Sequence, residues 1–126
     1  MSEEKTLDIS TQGSLDQAFK QGVRVIIPKD RQLQIDIDSD DDYSRFTQAY
    51  DALKQHYLNV PLYYKTSPSR NGGEGRHITV EMTEELAQIE RIALQAILGS
   101  DWRRELFSLI RVRKGEPLPT LFFEKE

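Results

Sequence analysis

The 126-residue sequence contains no cysteine, which excludes disulfide frameworks, thiolate zinc sites and thiol nucleophiles together. It lacks any run approaching the ~18 apolar residues that a membrane span needs. The opening Met-Ser-Glu-Glu-Lys has neither the basic start nor the apolar stretch of a signal peptide, so a soluble, cytoplasmic protein with no membrane partner is the expectation. Internal repeats and low-complexity tracts are missing as well. There is no excess of positive charge: 17 Lys and Arg stand against 21 Asp and Glu, for a net charge of −4. That balance argues against wholesale coating of nucleic acid but leaves room for a local basic patch.

What is present suits one domain spanning 1–126, because a chain of this length with 37% hydrophobic residues can bury a single two-layer core. Residues 1–12 are polar and are expected to be loose, with Ser14 capping a short helix through Phe19 that Gly22 closes. Val23 to Ile27 reads as a strand. The segment from Gln32 to Asp38 alternates polar and apolar residues without a break, the period of a half-buried strand. Ser39 then caps a helix whose first turn is acidic and whose Tyr43, Phe46, Tyr50, Leu53 and Tyr57 recur at helical spacing. Leu62 to Thr66 and Arg76 to Met82 form a hairpin around a Gly-rich loop. Thr83 starts a second helix carrying Leu86, Ile89, Ala93, Ile97 and Leu98, a basic helix follows from Asp101 to Arg113, and the apolar end from Thr120 to Glu124 is a last strand. The order β-α-β-β-α-β predicts an α+β fold of the ferredoxin-like or RRM-like split βαβ type with a short N-terminal αβ extension. Helices cover one face of its antiparallel sheet, and its first and third strands lie side by side in the middle.

Alternation then assigns faces. With Leu33, Ile35 and Ile37 turned to the core, Gln34, Asp36 and Asp38 face the open side. With Ile78, Val80 and Met82 buried, His77, Thr79 and Glu81 point the same way from the neighbouring strand. Aspartate is poorly suited to strand interiors, and two carboxylates one pleat apart repel unless a cation sits between them. Asp36 and Asp38 are therefore candidate ligands for Mg²⁺ or Mn²⁺, hard ions that take oxygen donors and keep water positions for phosphate. The loop Ser69-Arg70-Asn71-Gly72-Gly73-Glu74-Gly75-Arg76-His77 reads as a phosphate cradle, in which glycines admit close backbone approach and Arg76, Arg70 and His77 add donors. It is neither a P-loop nor a Rossmann turn, since no Gly-Lys-Ser/Thr follows and a strand comes next.

Two stretches resemble motifs of the archaeo-eukaryotic primase and polymerase superfamily. Ile35-Asp36-Ile37-Asp38 is similar to its hDhD strand. The stretch from Asn71 to Val80 is similar to its SGGxGxH-like loop and strand, especially as found in bacterial end-joining ligase primase domains. The resemblance covers about residues 32 to 124. It implies nucleotidyltransferase chemistry on nucleoside triphosphates with DNA or RNA, divalent metals on Asp36 and Asp38, and phosphate contacts from His77 and the residues Asn71, Gly72, Gly73, Gly75 and Arg76. The sequence departs from the pattern at Asn71, where serine is usual, and at Glu74, where a basic residue is frequent. The third acid of the family has no clear counterpart: the stretch from Leu106 to Ile110 offers Ser108, and Glu124 is a substitute if the last strand turns it to the open face.

Arg103, Arg104, Arg111, Arg113 and Lys114 fall in one short segment and form a candidate track for a nucleic-acid backbone, with contacts independent of sequence and sensitive to salt. Tyr63, Tyr64, Trp102 and Phe122 are aromatic residues at spacings that also suit a core, and His56 is read as a surface residue of a helix. Two further readings stand beside the nucleotidyltransferase. One is a catalytically reduced nucleotide- or nucleic-acid-binding accessory protein of replication or of a mobile element; the other is a protein-interaction domain, since the βαββαβ sheet serves many functions.

Overall fold

A computed structural model describes residues 23–68, 75–116 and 122–125. In chain order these form β1 (Val23–Ile26), β2 (Gln32–Ile37), α1 (Asp40–His56), β3 (Pro61–Pro68), β4 (Arg76–Met82), α2 (Gln88–Ile97), α3 (Trp102–Arg113) and β5 (Phe122–Lys125). The class is α+β. Strands β2, β4 and β3 make a three-stranded antiparallel sheet in that order, and β1 pairs with β5 as a separate antiparallel ribbon. Among the described residues no helix is long and apolar enough to cross a membrane.

The alternation read from the sequence holds on the core side. Leu33, Ile35 and Ile37 of β2 and Ile78, Val80 and Met82 of β4 are fully buried, and Phe46, Tyr50 and Leu53 of α1 close over them with Leu94 and Leu98. Helix α1 begins where the sequence puts it: the Ser39 hydroxyl accepts from the Asp42 N–H, and Asp40, Asp41 and Asp42 set negative charge against the first turn. The aromatic residues of α1 continue onto β3, with Tyr64 edge-on to both Phe46 and Tyr50 at centroid separations of 4.9 and 5.0 Å.

The split βαββαβ plan puts the last strand beside β2, making β2 central. Instead β5 pairs with β1, in the register Arg24 opposite Glu124, and β2 is an outer strand of its sheet. Its outward backbone groups are satisfied by the helical hairpin α2–α3. Arg91 Nε donates to the Gln32 carbonyl at 2.9 Å and Arg104 Nη1 to the Gln34 carbonyl at 2.6 Å. The Gln34 N–H donates to Gln95 Oε1 at 2.8 Å and the Asp36 N–H to Ser100 Oγ at 3.0 Å, while the Asp101 N–H donates to the Asp36 carbonyl at 2.8 Å. Four side chains and one backbone N–H thus take the place that a fourth strand would fill, pairing these outward backbone groups of β2.

That duty also changes helix α2 from its expected form. It starts at Gln88, because residues 83 to 86 are tied elsewhere: Asn59 exchanges two hydrogen bonds with the backbone of Glu84, the Thr83 N–H donates to the Val60 carbonyl and the Leu86 N–H to the Asp30 carbonyl. Its inward residues are Arg91, Ile92, Leu94 and Gln95, leaving Ile89, Ala93 and Ile97, three of the apolar residues read into this helix, exposed. A helix lying along a strand edge must turn polar donors and acceptors toward that edge, which rotates the apolar stripe away. Helix α3 runs as expected, capped by the Asp101 carboxylate on the Arg103 N–H. The expected helix from Ser14 to Phe19 lies outside the described residues.

Candidate functional site

Alternation puts Asp36 and His77 on one face, and the register of β2 against β4 sets them directly opposite each other. His77 Nε2 lies 3.7 Å from Asp36 Oδ1. The face they occupy is not open, however. His77 is only 6% exposed, and Gln34, two residues before Asp36, is 1% exposed. The Gln34 amide donates to the Ile26 carbonyl at 3.0 Å and accepts from Arg104 Nη2 at 3.1 Å, so β1 and α3 reach over this part of the sheet. Alternation along a strand fixes which side a residue faces; it does not say what else packs there.

Asp38 lies just past the end of β2 and is exposed. It lines an open cleft of about 340 Å³ with Asp42, Arg45, Gly99, Asp101, Trp102 and Arg103, and with Ala96 and Ile97 at the end of α2. The indole of Trp102 is 66% exposed, and the Arg103 guanidinium sits 5.1 Å from its centroid. Two other carboxylates of the cleft already have partners: Asp42 Oδ1 takes the Arg45 guanidinium at 2.7 Å, and Asp101 Oδ1 accepts from the Arg103 N–H at 3.3 Å. Among the described residues the Asp38 carboxylate has no hydrogen-bond donor. Partial burial, with Asp36, Asp101 and Asp42 nearby, pushes its carboxyl up to about 6 against the opposing charge of Arg103. Burial also raises Asp36, offset in part by Arg104 and His77 and reinforced by Asp101 and Glu105.

Asp101 is the acidic residue that the sequence reading missed. Its cap role is visible in Gly99-Ser100-Asp101, but its place beside Asp36 depends on the docking of α2–α3 against the edge of β2. Ser108, the residue at the position where a third acid was sought, is buried and donates to the Arg104 carbonyl at 3.0 Å. Glu124 belongs to β5, paired opposite Arg24 of β1, and its side chain lies outside the described residues. Among the described residues no three His, Asp or Glu side chains are gathered to hold a metal ion.

Of the Gly-rich loop, Asn71, Gly72 and Gly73 lie outside the described residues, as does Arg70. Gly75 is half-buried ahead of β4. Arg76, expected to offer donors to phosphate, is committed to α1: its guanidinium bonds Asp40 Oδ1 at 2.8 Å and lies 4.3 Å from the Tyr43 ring centroid.

The basic segment divides in two. Arg104 turns inward, donating to the Gln34 carbonyl and to Glu105 Oε2 at 2.7 Å, and is no part of a surface track. The reason is the unpaired edge of β2, which needs a long donor at this position. Arg111 is half-buried, whereas Arg103, Arg113 and Lys114 are exposed. Among the aromatic residues Tyr64 packs against the core while Tyr63 and Trp102 are exposed; Phe122 has its side chain outside the described residues. His56 is exposed at the end of α1. No protein-family model matches the chain, and no curated protein and no solved structure matches it.

Proposed function

We propose that this domain binds nucleotides or single-stranded nucleic acid through the cleft at the end of β2, as an accessory protein of replication or of a mobile element in the cytoplasm. The observation that carries this reading is an exposed tryptophan beside two arginines in a ligand-sized cleft. An indole offers any base a face to stack on, worth about 1–3 kcal/mol per base. Arg103, Arg45, Arg113 and Lys114 supply cations for phosphates along α3 and the cleft rim. The test is anisotropy of labelled single-stranded oligonucleotides across a salt series. Binding should weaken steeply with salt and fall about tenfold in Trp102→Ala. Absence of binding at low salt, for DNA and RNA alike, refutes it.

A second reading is favoured by one specific feature, Asp36 opposite His77 on neighbouring antiparallel strands. On that reading the domain is a reduced, primase-like nucleotidyltransferase acting on nucleoside triphosphates. On it Asp36 and Asp38 would supply carboxylate oxygens to Mg²⁺ or Mn²⁺. Its test is template-dependent extension with Mn²⁺, with product lost in Asp36→Ala and His77→Ala. A melting temperature indifferent to Mn²⁺ counts against it.

A further inference from the structure

We infer that the cleft selects guanine, with Trp102 stacking on the base and the Asp38 carboxylate accepting hydrogen bonds from its Watson–Crick edge. This rests on the nucleotide-binding reading above and narrows it to one base.

The cleft of about 340 Å³ falls at the small end of ligand sites, which run roughly 300–1,000 Å³, and so suits a single nucleoside. Trp102 and Ile97, both exposed, are apolar residues of its lining. The Arg103 guanidinium lies over the indole at 5.1 Å, and Trp102 remains 66% exposed, surface on which a base can stack. Facing the same space is Asp38, the one cleft carboxylate without a hydrogen-bond donor among the described residues.

An ionised carboxylate only accepts, through two oxygens side by side. The base that matches it must present two neighbouring donors and no acceptor between them. Guanine does so with N1–H and its 2-amino group, giving two parallel charge-assisted bonds. Adenine and cytosine each set one amino donor beside a ring nitrogen acceptor, which would face a carboxylate oxygen. Uracil and thymine set a single N–H between two carbonyls. Stacking alone tolerates every base, so discrimination falls to the carboxylate.

Trp102 is the only tryptophan in the chain, and its fluorescence therefore reports the site directly. Titrating the full chain with GMP, IMP, AMP, CMP and UMP should show GMP quenching at the lowest concentration. IMP keeps N1–H but lacks the amino group, and should bind about tenfold more weakly, with the other three weaker again. Asp38→Asn puts an amide N–H against one guanine donor; it should bring GMP and AMP to similar affinity while quenching persists. Equal quenching by all five nucleotides, or a guanine preference that survives Asp38→Asn, overturns the base assignment and leaves nucleotide binding standing. No quenching by any of them, with no oligonucleotide binding, removes both.

Discussion

Glu105 holds the helical hairpin to the sheet, and replacing it tests how β2 is closed. Its carboxylate is 4% exposed and accepts three hydrogen bonds of 2.7 Å, from Gln95 Nε2, Ser100 Oγ and Arg104 Nη1. Each of those donors also serves the edge of β2, through the Gln34 N–H, the Asp36 N–H and the Gln34 carbonyl respectively. In Glu105→Gln the volume is kept. The amide oxygen can take the place of Oε2, which leaves the new amide nitrogen facing the Gln95 amide donor. Gln95 cannot flip without losing its bond from the Gln34 N–H. The variant therefore loses one hydrogen bond and the charge that balanced a nearly buried guanidinium. Bonds to charged groups are worth about 1.5–3 kcal/mol, and breaking a buried pair costs about 3–5. A loss of about 3 kcal/mol follows, a large part of the roughly 5–15 kcal/mol that holds a domain folded. Urea unfolding followed by circular dichroism measures it, and the melting temperature should fall by roughly 10 °C. In Arg104→Met/Glu105→Gln the loss should be smaller than the two single losses together, because the guanidinium that lacked its anion is gone. A change under about 1 kcal/mol in Glu105→Gln would refute the account of the β2 edge.

Two further outcomes follow from the same geometry. The Asp38 carboxyl is raised from 3.8 to about 6 in the fold, so the native chain binds this proton more readily than the unfolded one. The contribution of Asp38 to stability therefore falls as pH rises through that window, and Asp38→Asn should raise the urea midpoint at pH 7 but not at pH 3.5. A lower midpoint at pH 7 would contradict this. Gly99 sits at φ +91°, and a Cβ there would meet the Asp42 carbonyl oxygen at 3.3 Å. Gly99→Ala should cost about 1–2 kcal/mol in the same unfolding assay; an unchanged midpoint would show that the α2–α3 turn needs no left-handed residue.

Local signals determined a good deal on their own. The alternation from Gln32 to Ile37 and from Arg76 to Met82 fixed two strands and their apolar core-facing residues. The Ser39 cap and the spacing of Phe46, Tyr50 and Leu53 fixed a helix and its face. Alternation also put Asp36 and His77 on one face of neighbouring strands, while the register that sets them opposite came from the structure. These features depend on neighbours two to four residues apart, which a sequence displays directly. The partner of the last strand, the inward turn of Arg104, the covering of Gln34 and the arrival of Asp101 at the Asp38 cleft were decided only by the tertiary structure. Each follows from one demand, that the outward N–H and carbonyl groups of β2 find partners. The groups that meet it, Arg91, Gln95, Ser100, Asp101 and Arg104, lie about sixty to seventy residues further along the chain, where no local period links them to the strand they close.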